Sequence, residues 1–160
     1  MSRRIRATLP EHPWLVCQLD DQVVGYAYAA AHGARCAYAW SVNVSVYVRE
    51  GFQRRGVGRA LYASLFEVLA LQGRVTAFAG ITLPNESSVR LHLNTGFQLV
   101  GVYRRVGFKN GRWHDVARYQ RPLVPYSADP PVIRLVSELD IEELGAAFHA
   151  GIGNIHSIDR

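Results

Sequence analysis

Residues 53–60, QRRGVGRA, decide the fold, because they join a strand pattern to an amphipathic helix pattern. A glycine-spaced turn at a helix start leaves backbone N–H groups unpaired, with the positive end of the helix dipole behind them. Glycine lets the backbone approach a ligand without a Cβ in the way, and arginine adds charge-assisted bonds. These properties predict a pyrophosphate cradle. It comprises Arg54, Arg55, Gly56, Val57, Gly58 and Arg59.

Two glycines before a helix are a weak signal by themselves, since the same spacing can simply turn the chain. The segment is not a P-loop, because no Gly-Lys-Ser/Thr follows. It is not a dinucleotide fingerprint either, because a third glycine is missing and the order of the strands is wrong. The surrounding elements therefore have to distinguish a phosphate cradle from a turn.

The chain around this segment alternates between strand and helix patterns. Within residues 38–48, valines at every second position alternate with polar or aromatic side chains, which predicts a strand with one buried face. Apolar residues recur at helical spacing from 54 to 72, before Gly73. The predicted order is β-β-β-α-β-α-β-β, over residues 14–19, 23–31, 38–48, 54–72, 75–81, 85–95, 97–106 and 113–120.

The same patterns divide the chain into three parts. Residues 1–122 form the predicted core, a single α/β domain, which suits a chain of 160 residues with 49% hydrophobic content. Four prolines within residues 122–131 predict a linker over 123–131. Residues 132–160 read as a further strand leading into a helix, with Ser137 as a candidate helix cap.

The charge of the chain is basic, at +5, and comes almost entirely from arginine, since Lys109 is the only lysine. Either a solvated surface or attraction to an anionic ligand explains this balance. Nucleic acid is the weaker explanation, because no basic run is interleaved with aromatic residues. We expect no nucleic-acid partner.

The cysteine content and the hydropathy of the chain indicate the cellular compartment of the protein. Cys17 and Cys36 are the only cysteines and lie 19 positions apart, so neither has a second cysteine near it at metal-ligand spacing. This predicts a reduced, cytoplasmic protein without a metal. The basic N-terminus is followed by no apolar stretch, and no run of eighteen apolar residues occurs, so neither a signal peptide nor a membrane span is expected.

QRRGVGRA resembles the Gln/Arg-x-x-Gly-x-Gly/Ala signature of GNAT N-acetyltransferases, whose loop holds the pyrophosphate of acetyl-CoA. Four further segments are similar to phosphinothricin acetyltransferases, in the same order and at nearly the same spacing. They are PWLVCQLDDQVVGYAYA (13–29), YAWSVNVSVYV (38–48), LPNESSVRLHLNTGF (83–97) and GFKNGRWHDVARYQ (107–120). The resemblance implies a GNAT fold: a mixed, mostly antiparallel sheet with splayed strands and flanking helices. It also implies acetyl transfer from acetyl-CoA to a small L-amino acid, such as phosphinothricin or methionine sulfone, by a homodimer.

The resemblance also assigns roles to single residues. The backbone of Val46, Tyr47 and Val48 would pair with the pantetheine arm. Asn85 would lie near the pantetheine and pyrophosphate, although after Pro84 it could equally cap a helix. His92 would handle protons, and the alternative is a buried structural histidine on a short helix.

Two departures bear on catalysis. Relatives carry a glutamate in the third core strand, where this chain has Asn43 in the acceptor-binding region, and an amide cannot take up a proton at neutral pH. A non-catalytic acetyl-CoA-binding module is therefore an alternative, and a protein N-terminal acetyltransferase is another.

His114 and Asp115 are adjacent on a strand and point to opposite faces, so we expect structural or substrate-edge support from them and no dyad.

The second departure concerns the ends of the chain. The family's opening strand and two helices, which wall the acceptor pocket, are missing ahead of residue 13, yet residues 132–152 are similar to that opening. Three explanations stay open: a permuted or swapped element that completes the fold, the start of a tandem copy, or an ordinary C-terminal helix. We favour a displaced family opening, which requires residues 133–135 to pair with a sheet.

Overall fold

The computed structural model describes residues 2–155. These residues form six strands, all in one sheet, and four α-helices. The helices are α1 (Ser2–Thr8), α2 (Val57–Leu71), α3 (Glu86–Asn94) and α4 (Ile141–His149). The strands are β1 (Trp14–Leu19), β2 (Gln22–Ala31), β3 (Ser41–Val48), β4 (Thr76–Thr82), β5 (Gln98–Lys109) and β6 (Arg112–Pro122).

The sheet has the order β1-β2-β3-β4-β6-β5. Its strands pair antiparallel, except for β3 and β4, which run parallel over three residue pairs. The predicted order of core elements and the mixed, mostly antiparallel sheet are confirmed. Asn110 and Gly111, which connect the last two strands, both adopt the positive φ that a tight hairpin turn requires.

Helix α2 supplies the main core, because its apolar stripe packs on the sheet. Leu65 and Leu69 are fully buried in one cluster with the inward-facing Val42 and Val44 of β3. Between these valines, Asn43 points to the opposite face of the sheet, as strand alternation requires. Burying a large aliphatic side chain stabilises the fold by roughly 1.5–3 kcal/mol.

The C-terminal segment follows α2 along its length in the reverse direction. Val68 of α2 packs with Leu139 and Ala147 in a second small core. Ser64 Oγ donates a hydrogen bond to the Phe148 carbonyl, 2.8 Å away. Asn154 then lies against the start of α2, with its carbonyl oxygen 1.6 Å from the position that a Cβ on Gly56 would occupy.

The strand predicted from residue 133 onward was wrong, since residues 131–135 form neither a strand nor a helix. The reason is that Gln72, at the end of α2, forms hydrogen bonds with a backbone N–H and a carbonyl group that could otherwise pair with a neighbouring strand. The Arg134 N–H donates to the Gln72 carbonyl at 2.9 Å, and Gln72 Nε2 donates to the Arg134 carbonyl at 2.9 Å. Within this chain, the segment docks on a helix end and pairs with no strand.

Two further differences concern local structure. The N-terminal helix α1 was not predicted, and its seven residues are too few to show an amphipathic repeat. The last two strands extend beyond their predicted ends, and their pairing is irregular between Tyr103 and Gly107, where Arg105 has a φ of 50°. An irregularity of this kind interrupts the alternation by which a strand is recognised.

Gly151 tests the docking of the C-terminal segment on α2. A Cβ at Gly151 would lie 2.1 Å from the Ala60 carbonyl oxygen. We expect Gly151→Ala to lower the free energy of unfolding by about 1–3 kcal/mol, as overpacking does. The matched control is Gly145→Ala in α4, where a Cβ meets no atom within 4 Å and should be neutral or stabilising by up to about 1 kcal/mol. Equal stability of the two variants in urea unfolding would contradict this docking.

Candidate active site

The site is built on the divergence of β3 from β4. Their pairing ends at Asn43 with Phe78. Beyond this pair, Val44 to Val48 pair only with β2, and Ala79 to Thr82 pair only with β6, as far as residues 2–155 show. The facing edges of both strands therefore border a wedge that narrows toward Asn43. Val46, Tyr47 and Val48 lie on this edge, where the predicted backbone pairing with pantetheine requires them.

The predicted cradle lies beside the wedge, at the start of α2. Gly51, Arg54 and Gly56 all have positive φ, and Gly56 is the N-cap residue without a side-chain cap. The first intrahelical bond runs from the Ala60 N–H to the Gly56 carbonyl. The N–H groups of the preceding helical residues therefore have no helical partner, and the helix dipole makes them an anion site.

The arginines of the cradle differ in their surroundings. Arg54 and Arg59 are exposed. The Arg55 guanidinium lies over the Phe52 ring, 5.1 Å from its centroid. Residues 54–59 thus offer unpaired backbone donors next to two solvent-exposed positive charges, a combination that fits a pyrophosphate.

Both cradle glycines also make close contacts within the protein. A Cβ at Gly58 would lie 3.1 Å from the Leu91 side chain of α3. Gly56 is covered on one side by Asn154. The missing side chains therefore serve helix packing and chain docking as well as the approach of a ligand, and Asn154 borders the cradle.

Asn85 caps helix α3, as its position after Pro84 also allowed. Its Oδ1 accepts hydrogen bonds from the Ser88 N–H and the Ser87 hydroxyl, both at 3.1 Å. The residue is exposed. Its predicted contact with the cofactor stays a prediction.

His92 is buried, with 4% of its surface exposed. Its Nδ1 lies 2.7 Å from the Ser88 carbonyl, so Nδ1 carries the proton, and Nε2 accepts a hydrogen bond from the Tyr62 hydroxyl at 2.9 Å. Burial lowers the pKa of His92. In this conformation both ring nitrogens are occupied, and the assignment of His92 to proton transfer stays a prediction.

Asn43 is the centre of a polar cluster at the narrow end of the wedge. Its Oδ1 accepts from Arg118 Nη2 at 3.0 Å and lies 3.3 Å from His32 Nδ1. Arg118 belongs to β6 and crosses β4 at Gly80, where its Nη1 lies 2.9 Å from the position of a Cβ. Any side chain at position 80 would obstruct this crossing.

An aromatic row lines the same face of β1, β2 and β3. Trp14 stacks on Tyr28, with centroids 4.3 Å apart, and Tyr26 stacks on Tyr47 at 4.9 Å. The register places Tyr28 opposite Ser45, two positions from Asn43. The row therefore extends from the polar cluster as an apolar wall against which a substrate side chain could lie.

The sequence reasoning missed His32, Arg118 and this aromatic row. One signal in the sequence could have found part of this set. Tyr26, Tyr28 and His32 are separated by even numbers of positions, so in an extended chain their side chains lie on one face, which in this sheet is the face of Asn43. Arg118 had no such signal. It reaches Asn43 from 75 positions away, and only the strand order brings the two together.

His114 and Asp115 do not form a dyad, as expected. His114 Nε2 lies 3.2 Å from the Lys109 carbonyl. Asp115 accepts from the Arg105 N–H at 2.8 Å and from Arg104 Nη1 at 2.9 Å, and these bonds lower the pKa of its carboxyl. Asp115 thus holds the irregular part of the β5–β6 hairpin together, and His114 contacts the hairpin near its turn.

Residues 2–155 form neither of two other kinds of site. No cluster of three or more His, Cys, Asp or Glu could hold a metal ion there. No helix in that range has the length and hydropathy to cross a membrane.

The surroundings of His92 predict a pH-dependent stability. Its pKa is lowered in the folded state, so protonation favours unfolding; the stabilisation is complete above about pH 6.5 and is lost as the pH falls toward the folded pKa. His12, whose pKa burial and Arg74 lower, adds to this dependence. We expect His92→Gln to cost about 1–3 kcal/mol at pH 7.5 by weakening the Tyr62 bond, and to flatten the loss of stability between pH 7.5 and 5.5.

Urea unfolding at several pH values measures this effect. The control is His149→Gln on α4, an exposed position. A His92→Gln variant with the same pH dependence as the wild type would show that His92 is not held neutral by its burial.

Comparison with known proteins agrees with this geometry. Residues 1–117 match the model of the acetyltransferase (GNAT) domain family. The chain is 46% identical over 125 residues to a phosphinothricin N-acetyltransferase of Streptomyces coelicolor, covering 69% of this chain and 73% of that protein.

Solved structures show the same likeness. A GNAT phosphinothricin acetyltransferase from Sinorhizobium meliloti, solved in complex with acetyl-CoA, superposes with a TM-score of 0.71 at 37% identity, covering 76% of this chain and 66% of that one. A ribosomal-protein-alanine N-acetyltransferase from Brucella melitensis superposes with a TM-score of 0.69 at 34% identity, over 76% and 73% of the two chains. The chain therefore belongs to the GNAT acetyltransferase family and, within it, to the group that contains the phosphinothricin N-acetyltransferases.

Proposed function

We propose that this protein is an N-acetyltransferase, which moves the acetyl group of acetyl-CoA to the α-amino group of a small L-amino acid or analogue such as phosphinothricin or methionine sulfone. The observation that carries the proposal is the path formed by the cradle of residues 54–59 and the open edge of β3, which meet where a Cβ at Gly58 would lie 3.6 Å from the Val48 side chain. An anion site at one end and an open strand edge at the other suit a long ligand with a pyrophosphate and an amide-bearing arm.

Each part of this path has a role. Arg54, Arg59 and the free N–H groups at the start of α2 would hold the pyrophosphate. The backbone of Val46, Tyr47 and Val48 would pair with the pantetheine amides, as an added strand does. Acetyl-CoA supplies an activated thioester, and N–H groups on the open strand edge would stabilise the oxyanion that forms during transfer.

The acceptor would bind on the face of the sheet that carries Asn43. We assign Asn43 to acceptor binding, because it lies at the narrow end of the wedge with Arg118 beside it. The aromatic row would contact the side chain of the acceptor, and the positive charge of Arg118 suits its carboxylate. For His92, we retain as a separate proposal the role in proton handling that the family resemblance gives it; its Nε2 is bonded to the fully buried Tyr62 hydroxyl in this conformation, so contact with the acceptor would require that bond to open.

A second candidate is an acetyl-CoA-binding module without turnover. The specific observation in its favour is Asn43, since the amide that stands in place of a carboxylate cannot act as a base. Both candidates need the cradle and the wedge. They differ only in whether an acetylated product forms.

We further propose that the protein works in the reduced cytoplasm and forms a homodimer. Both cysteines of the chain are free thiols, which suits a reducing compartment. The apolar side chains exposed on β5 and β6, among them Val106, Phe108 and Trp113, suit a subunit contact. Residues 132–155 dock on α2 of their own chain and pair with no strand there, so they do not meet the condition set for a displaced family opening, and the dimer proposal does not rest on them.

Calorimetric titration with acetyl-CoA, followed by a thiol-release assay in the same preparation, tests the function. The acceptor panel contains amino acids, phosphinothricin, methionine sulfone and alanine-terminated peptides. Product with a small amino acid would support the proposal, and product with the peptides alone would move the function to protein N-termini. Binding without any product would favour the module, and absence of binding would overturn both candidates.

The cradle makes its own prediction. We expect the double variant Arg54→Ala, Arg59→Ala to raise the Kd for acetyl-CoA about tenfold, which corresponds to about 1.4 kcal/mol. The effect should shrink as the salt concentration rises, because exposed charges are screened. Arg112→Ala, on the remote β5–β6 hairpin, is the matched control and should bind as the wild type does. An unchanged Kd in the double variant would place the pyrophosphate elsewhere.

A further inference from the structure

The orientation of the Asn43 amide is determined by its partners. Nδ2 donates to the Ala31 carbonyl at 3.0 Å, and Oδ1 accepts from Arg118 at 3.0 Å. The reversed amide would set an NH₂ group against a guanidinium and an oxygen against a carbonyl, and neither pair can form a hydrogen bond. Oδ1 therefore faces both Arg118 and His32.

This orientation fixes the tautomer of His32. Because Asn43 Oδ1 can only accept, His32 Nδ1 must donate across the 3.3 Å that separates them. In the neutral ring the lone pair then lies on Nε2, which has no hydrogen-bond partner among residues 2–155. His32 thus offers the free basic nitrogen that His92 lacks.

The ring of His32 is also held in place at the narrow end of the wedge. It stacks on Phe78, with centroids 4.0 Å apart and planes inclined by 25°. The Tyr38 ring meets it edge-on at 6.0 Å. Since Phe78 is paired with Asn43 in the last rung between β3 and β4, the imidazole lies where the strands begin to diverge.

We propose that His32 is the general base of acetyl transfer, with Asn43 as its positioning residue. This inference rests on the proposed function. A histidine tethered by the amide of Asn43 would thereby do the work of a carboxylate on β3. The His32 imidazole contacts the acceptor amine through Nε2, while its Nδ1 stays bonded to Asn43.

The proton balance is complete without a further reactant. Nε2 takes one proton from the acceptor ammonium, and the free amine forms a bond to the thioester carbonyl carbon. The carbon–sulfur bond then breaks. The nitrogen gives up its second proton, which ends on the departing thiolate, and His32 releases its own proton to solvent.

The charged and titratable side chains that contact this cluster are Arg118 from β6 and Tyr38 from the turn at Cys36–Tyr38. Neither guanidinium nor phenol exchanges protons near neutral pH in its ordinary range, whereas imidazole does. The acidic limb in the pH profile of kcat/KM is therefore assigned by substitution, because His92 and the other imidazoles are unchanged in a His32 variant.

His32→Gln tests the proposal, with an acceptor that the wild-type enzyme acetylates. We expect kcat to fall about 10²–10⁴-fold, the usual contribution of a positioned base. The Kd for acetyl-CoA should stay within about twofold, and the acidic limb of the kcat/KM profile should disappear. Asn43→Ala should lower kcat less and keep the acidic limb, because the base remains but is no longer tethered.

His149→Gln is the matched control, because this histidine lies exposed on α4 and should keep wild-type kinetics. If His32→Gln does not fold, His32→Asn replaces it, since its amide can still donate to Asn43. A His32 variant that keeps kcat within about threefold, or keeps the acidic limb, would overturn the role of His32 alone. A wild-type protein that binds acetyl-CoA without forming product would instead overturn the proposed function, and this inference with it.

Discussion

The divergence of β3 from β4 after Asn43 and Phe78 is the constraint on which the rest of the site depends. Two parallel strands that pair over only three residues leave backbone donors and acceptors open on both edges. Such groups need a partner, and a ligand that adds itself like a strand can provide one. Helix α2 follows the open end of β3 in the chain, and Gly58 in its first turn lies beside Val48, so the positive end of the helix dipole adjoins this open edge.

The side chains at the narrow end of the wedge are arranged around Asn43. A carboxylate there would pair as an ion with Arg118, whereas the amide bonds to Arg118 and His32 without a charge of its own. Gly80 makes this possible, because Arg118 passes over the sheet where β4 has no side chain. Strands β3 and β6 and the residue that follows β2 thus contribute to one cluster, and the free nitrogen of His32 is its only basic atom without a partner in the part of the chain described. Asn43 removes one proton acceptor and positions another.

Much of the scaffold was predictable from the sequence, since it is encoded locally. The alternating valines of β3 and the helical spacing of Val57, Leu61 and Leu65 each specify one element and its buried face. The strand expected at residue 133 failed for a non-local reason, because Gln72 bonds to its backbone from 62 positions away. The cluster around Asn43 was beyond prediction for the same reason. Hydrogen bonds between residues on β3, on β6 and directly after β2 depend on the strand order and register, which no short pattern reveals.

The C-terminal segment shows how packing remote from the wedge supports the site. The stripe of α2 that faces away from the sheet contains Val68, which would be exposed if Leu139 and Ala147 did not cover it. Covering this stripe holds α2 between two layers, so that its first turn cannot shift without breaking contacts on both sides. Asn154 completes this arrangement by contacting Gly56. The position of the cradle N–H groups is therefore determined by contacts along the whole helix, although the cradle motif itself spans only residues 53–60.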